Sequence, residues 1–440
     1  MTRLRAVWAD INASYWFLPG LFALLALALA LFTVWLDRTG QTDWLDTLIK
    51  VEIARPEGAR SILTVIAGAM IGVASTVFSI TIAAVAYASG SYGPRLLTNF
   101  MEDRGNQLSL ATFIATFVYS VVVLRTIRDP EEVSVAGAAG DALPGFVPQL
   151  SLLVAYGLTA VAVMVLVYFL NHVPASIRVN TVLESIGERL IRDIKQDFAQ
   201  RSPSPAVQPL TSGRPVTTNR VGYIQIINYR QLQNLAVRKQ GRIEMAVRTG
   251  DFVHPHMTLA CWQGDDGQGE LPDEAIRSCF ALGGMRTPTQ DLHFLIDELV
   301  EIGLRALSPG INDPFTAITA LHWLGAATAE LGQRDLSRIF DETLAAEENR
   351  IILLDEEFAH YASRGFGSMR TAVAHDPAAA GVMLETLFHT ATMLGDEARR
   401  QVLVDEAALL LQQARLELAG PALDLVEDRY RQFRQQMTSG

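Results

Sequence analysis

The string Arg305-Ala-Leu-Ser-Pro-Gly-Ile-Asn-Asp-Pro-Phe-Thr-Ala317 sets a guanidinium, a hydroxyl, an amide and a carboxylate along one short segment. Ser308-Pro309-Gly310 stops one helix, and Asp313, followed by Pro314, is placed to cap the next. Arg305, Ser308, Asn312 and Asp313 are therefore candidates to converge at a helix–helix corner on a ligand or a neighbouring subunit. A structural role competes with that reading. An Asp cap alone contributes about 1 kcal/mol, and Arg305 can pair with Glu301 one turn earlier.

A second pattern lies in a long apolar run. Gly68, Gly72, Thr76, Ser79, Ala83, Ala86 and Gly90 recur at three- and four-residue steps, one narrow helical face of small and hydroxyl side chains, flanked by Ser75 and Thr81. Such a face suits close helix packing, since small-xxx-small pairs let backbones approach. It equally suits the wall of a water-filled path, with Gly72, Ser75, Thr76, Ser79 and Ala83 as its lining. Thr112, Thr116 and Tyr119 offer a weaker face of the same kind. Arg95, Glu102, Asp103 and Arg104 at one mouth, and Asp43, Asp46 and Glu52 at the other, are charges that could select ions or simply be solvated loops.

Other chemistry is thin. His254-Pro-His256 has no clear third metal ligand, and no metal site or cofactor is implied. Neither cysteine sits in a CxxC, and G-x-S-x-G, P-loop and HExxH motifs do not occur. The adjacent acids Glu347-Glu348, Glu356-Glu357 and Asp265-Asp266 are expected on solvated faces. No catalytic residue is assigned.

The elements that would position these groups begin in the bilayer. The chain has 440 residues, 50% hydrophobic and 19% charged, with mean hydropathy +0.21. A spanning helix takes about 20 apolar residues, and four stretches qualify: about 15–36, 62–88, 108–124 and 150–170. The first reads as a retained span rather than a cleaved signal peptide. None of the four holds a charged residue or a histidine. Proton relays and ion-coupled transport usually need such groups, so a path, if formed, belongs between subunits of a homo-oligomer.

Basic residues set the expected orientation. Arg3 and Arg5 precede the first span, Arg95 and Arg104 separate the second from the third, and Arg178, Arg189, Arg192 and Lys195 follow the fourth. The positive-inside rule then puts both termini in the cytoplasm, where Cys261 and Cys279 would stay reduced. A formal net charge of -11 argues against nucleic acid as a partner.

After the spans (1–172), the pattern divides the chain into an amphipathic helix and linker (173–218), a small β-containing module (219–286) and a helical domain (287–440). Leu183, Ile186, Leu190 and Ile194 mark the amphipathic helix, and Arg201–Thr218 reads as an exposed linker. Val221–Ile227, Ile243–Val247 and Met257–Trp262 read as strands, with a helix capped by Asn228 between the first two. Helices are expected over Thr289–Leu307, Pro314–Leu331, Asp335–Ser363, Pro377–Leu394, Asp396–Leu418 and Pro421–Gln435.

Four strings together carry a family resemblance: Arg305–Ala317, Arg286-Thr-Pro-Thr-Gln-Asp291, Pro94-Arg-Leu-Leu and Phe117-Val-Tyr-Ser-Val-Val-Val-Leu-Arg125. The chain resembles, over about residues 10–430, the predicted bacterial inner-membrane proteins of domain of unknown function family 2254. The resemblance implies an integral membrane protein with a cytosolic C-terminal body, and no established activity.

The expected fold class is thus an integral membrane α-helical protein with four transmembrane helices and a cytosolic α+β part. Two functions fit it. One is a homo-oligomeric channel or pore-like protein of the inner membrane, gated by its cytosolic part. The other is a membrane-anchored scaffold or sensor whose cytosolic domain binds a partner or ligand. An enzymatic role is the weakest reading.

Overall fold

The computed structural model describes residues 15–39, 55–93, 103–128, 145–176, 178–198, 213–264, 272–336, 349–354 and 356–439. The chain forms two compact units that divide between Arg178 and Val179.

Among the described residues, the first unit is built on four helices: α1 (Phe17–Arg38), α2 (Pro56–Tyr92), α3 (Arg104–Leu124) and α4 (Gln149–Ser176). All four are long and apolar enough to cross a membrane. At 1.5 Å per residue, the 37 residues of α2 extend roughly 55 Å, well beyond the ~30 Å hydrocarbon core, so α2 tilts or projects past it. Helix α3 packs on each of the other three and is the most enclosed of them. The outer helices turn Leu24, Leu31, Val65, Met164 and Leu170 outward. A continuous apolar surface of this kind needs a lipid environment.

The buried hydroxyls of Thr33, Thr116, Tyr119 and Ser120 find partners within the bundle, as hydrocarbon demands. The Tyr119 hydroxyl donates to the Ser151 carbonyl at 3.1 Å and lies 2.9 Å from the Thr33 hydroxyl. At one end of the bundle, Asp37 accepts from the Leu150 and Ser151 amides, both at 3.0 Å, and so caps α4 from the far end of α1. At the other end, Asp103 accepts from the Gly105 amide at 2.7 Å, and His172 Nε2 lies 2.8 Å from it. Each carboxylate meets the positive end of a helix dipole. Helix α4 runs through Pro174 to Ser176, past the end near residue 170 expected for the fourth span. The ring removes just one amide donor, close to the end where the ladder is already finishing.

The second unit opens with α5 (Val179–Asp197), whose apolar face buries Leu183, Ile186, Leu190 and Ile194. The α+β module follows as two small sheets. One has β1 (Arg214–Thr217), β5 (Thr258–Gln263), β3 (Arg242–Met245) and β7 (Ile351–Ile352) side by side in that order; the other has β4 (Phe252–Val253), β2 (Gly222–Ile227) and β6 (Phe280–Gly283). Alternation aims Ile243, Met245, Ala260 and Trp262 into a common core with Ile224, Ile227 and Phe280. Asn228 caps α6 (Tyr229–Arg238) by accepting from the Gln231 amide at 3.1 Å. A short helix, α7 (Asp273–Arg277), precedes β6.

The helical part contains α8 (Leu292–Ala306), α9 (Pro314–Gly332), α10 (Phe358–Ala362), a wide π turn at Ser363–Gly367, α11 (Ser368–Val373), α12 (Pro377–Thr392), α13 (Glu397–Glu417) and α14 (Pro421–Ser439). Caps from Asp291, Asp313, Asp376 and Asp396 start α8, α9, α12 and α13. Helix α5 packs on α8 and α9. Gly187 makes that approach possible, because a Cβ there would sit 2.2 Å from Trp323 Cε3.

Strands β4 and β6 and helix α7 are elements the sequence reading does not assign, and two stretches it does assign differ from it. Arg214–Thr217, expected as linker, is strand β1, paired antiparallel to β5. In the expected helix Asp335–Ser363, residues 337–348 and 355 lie outside the described residues. Ile351–Ile352 within it is strand β7, parallel to β3. Two consecutive β-branched residues prefer the pleated, two-sided burial of a sheet to a helix. The pair also sits far along the chain from the other strands, where local pattern carries no sign of its partner.

Candidate functional site

The residues singled out on α2 lie on the side of that helix turned away from the bundle, where Val65, Ile71, Phe78, Ile80 and Ile82 are exposed too. Leu63, Met70, Ala74, Val77 and Thr81 are buried, while Gly68, Gly72, Ser75, Thr76, Ser79, Ala83 and Ala86 on the opposite side are exposed. A Cβ added at Gly68, Gly72 or Gly90 would meet nothing within 4 Å. The hydroxyls of Thr76 and Ser79 donate to the Gly72 and Ser75 carbonyls at 3.0 and 2.9 Å. These i−4 bonds satisfy the donors within the helix, so the stripe can face lipid, water or another protein surface. The weaker face on α3 is different: Thr116 and Tyr119 are fully buried in the bundle. Of the mouth charges, Asp103 is a helix cap bonded to His172 rather than a solvated loop residue; Arg104 is exposed. Arg95, Glu102, Asp43, Asp46 and Glu52 lie outside the described residues.

At the corner between α8 and α9, the four candidate residues make bonds to their own segment. Asp313 accepts from the Thr316 amide at 3.2 Å and from its hydroxyl at 2.6 Å. Ser308 donates to the Arg305 carbonyl at 2.6 Å, and the Arg305 guanidinium lies 3.6 Å from Glu301. Asn312 adopts a left-handed backbone, φ 51°, which Asn tolerates better than most residues. Beside them Ile311 and Phe315 stand exposed, Phe315 at 77%.

A third group was not visible as a site in the sequence. It lies where the turn after β3 meets α8, α10 and the π turn. Glu356 is buried, its side chain 4% exposed, with Arg248 in ion-pair contact and His293 Nε2 at 3.0 Å. His360 Nε2 approaches the same carboxylate at 3.7 Å. The imidazole rings of His293 and His360 are 5.1 Å apart, and that of His293 is 5.3 Å from the Tyr361 ring. The expectation that Glu356-Glu357 forms a solvated pair therefore fails for Glu356 and holds for Glu357, which is exposed. Adjacent residues at a helix start point apart, so one faces inward.

Next to it, Asp297 takes bonds from Arg364 at 2.8 Å and Arg286 at 2.6 Å. Arg286 also forks onto Asp291, at 3.0 and 2.8 Å. Gly250, with φ 89°, lets the turn pass the same carboxylate: a Cβ there would lie 2.2 Å from Asp291 Oδ2. Burial would raise the Asp297 pKa, but the two guanidiniums outweigh it and hold the carboxyl below its ordinary value. Burial, then the charges of Arg248 and Arg364, lower the pKa of His360 and favour the neutral imidazole. The Arg286–Asp291 string and the wide turn that presents Arg364 were the available sequence signals. What they lacked was the long-range partner of each charge. By contrast, His254 and His256 are exposed, and His256 belongs to a turn with φ 75°.

The fold and these groups define a helical membrane protein with an attached α+β unit. Residues 12–389 match the family model described as predicted membrane protein (DUF2254), and the chain belongs to that family. It is 29% identical to an uncharacterised protein of Mycobacterium bovis over 376 residues, 83% of this chain and 70% of that protein. The same figures relate it to an uncharacterised protein of Mycobacterium tuberculosis. No solved structure matches it.

Proposed function

We propose that the protein is a homo-oligomeric, pore-like component of the bacterial inner membrane, in which α2 lines a path between subunits. The observation that carries this is the open small-residue stripe of α2, directly opposite that helix's buried side. Against lipid alone, glycines and alanines forgo the dispersion contacts that a larger side chain would make. Facing the same stripe of a second copy, they leave room between the two helices for a water-filled path. Gly72, Ser75, Thr76, Ser79 and Ala83 form the wall, and Thr76 and Ser79 can accept hydrogen bonds from water on their free lone pairs.

In this reading the second unit is cytoplasmic and assembles or gates the bundle. The Lys and Arg bias around the spans supports that side, as do the two thiols outside the membrane unit. The Arg305–Asp313 corner then serves as an inter-subunit contact, supported by the exposed Ile311 and Phe315. Reconstituted liposomes test the path. They should pass ions, and Thr76→Trp should change the flux more than Met164→Trp on the lipid-facing side of α4. Tight liposomes under every voltage, tension and pH would remove the path.

One observation favours a second reading, a membrane-anchored sensor: the buried charge cluster around Glu356. Such clusters gather where a ligand or a switch is handled.

A further inference from the structure

We propose that His293, Glu356 and His360 form a binding site for a borderline divalent transition metal of the zinc class. The proposal does not depend on whether α2 lines a path. The three residues come from two elements 63 positions apart in sequence, yet their ligand atoms all lie within 4.8 Å of one another.

The spacing suits one ion. Ligand atoms bound at about 2.0–2.1 Å in a tetrahedral arrangement are roughly 3.3 Å apart. Here Glu356 Oε2 is 3.0 Å from His293 Nε2 and Glu356 Oε1 is 3.7 Å from His360 Nε2, so each imidazole faces one oxygen of the same carboxylate at a distance near that separation. Both Glu356 oxygens are buried, one in ion-pair contact with Arg248 and the other 3.0 Å from His293 Nε2.

The donor set and the local field select the metal. Two imidazoles and a carboxylate suit zinc, cobalt or nickel and leave a fourth position open; magnesium and calcium prefer all-oxygen shells. The half-exposed His360, at 47%, provides the way in. Arg248 is the built-in competitor. Its guanidinium holds Glu356 when no ion is bound, and a divalent ion must displace it. The side chain is 23% exposed and so has room to swing outward.

The test uses the full-length protein in detergent, stripped with chelator and titrated with Co²⁺ while visible d–d absorption is followed. One saturating Co²⁺ per chain is expected. His360→Gln, at a half-exposed position the fold does not require, should weaken binding at least tenfold. Arg248→Gln should tighten it about tenfold by removing a like charge beside the ion. His360→Cys should restore binding and add a thiolate-to-cobalt charge-transfer band. Absence of saturable binding in both the native chain and Arg248→Gln overturns the proposal. So does binding that His360→Gln leaves unchanged, or a bound His360→Cys with no new band.

Discussion

Replacing Asp297 by Asn would probe the charge network that joins the strand module to the helices. The substitution keeps the shape and removes the charge that Arg286 and Arg364 both contact. Arg286 retains Asp291, but Arg364 is left with an amide oxygen. Deleting one partner of a buried ion pair costs about 3–5 kcal/mol. The pair is partly screened, since the Arg364 side chain is 30% exposed, so the low end applies, about 3 kcal/mol. For a unit of this size that is a fall in Tm of about 6–12 °C, read from tryptophan fluorescence of the detergent-solubilised protein at pH 7.

Acidity supplies a second arm. The folded pKa of Asp297 lies below its unfolded value, because the two guanidiniums outweigh burial. Its contribution is therefore complete above the unfolded pKa and is lost as pH falls through the folded one. The gap between the native chain and D297N should be widest near neutrality and close on acidification. A gap under about 1 °C at pH 7, or one that grows toward low pH, would refute the reasoning.

Two further predictions rest on packing. Gly187→Ala should lower Tm by several degrees, because the new methyl meets the Trp323 ring at 2.2 Å and overpacking costs about 1–3 kcal/mol. Gly381→Ala, where the nearest atom is 3.8 Å away, should be neutral or slightly stabilising through helix propensity; the reverse order would contradict the α5–α9 contact. Burial pushes the Cys279 thiol up to about 11, so a maleimide at pH 7.5 should leave it unmodified until denaturant is added. Rapid labelling of Cys279 in the folded protein would show that the core of the strand module is not closed.

The spans were legible because about 20 uncharged apolar residues have few uses besides crossing lipid. The helices of the second unit were legible where an Asp or Asn cap preceded a periodic run, as at Asn228, Asp313 and Asp396. Failures came where partners are remote. Ile351–Ile352 joins a strand more than a hundred positions earlier, and β1 lies at the end of a stretch rich in Pro, Ser and Thr. The same limit hid the cluster around Glu356. Its i,i+4 spacing to His360 is ordinary helix chemistry until folding brings His293 and Arg248 to the same carboxylate. Asp103 reads as a loop charge for a related reason: His172, the group it bonds, is distant in the chain.

The central claim is that the small-residue stripe of α2 meets a second copy of the chain. Cysteine cross-linking in native membranes tests it most directly. Ser79→Cys should give a covalent dimer on mild oxidation, while Met164→Cys, which is 70% exposed on α4, should not. Monomer alone from Ser79→Cys, or equal dimer from both positions, would contradict the account.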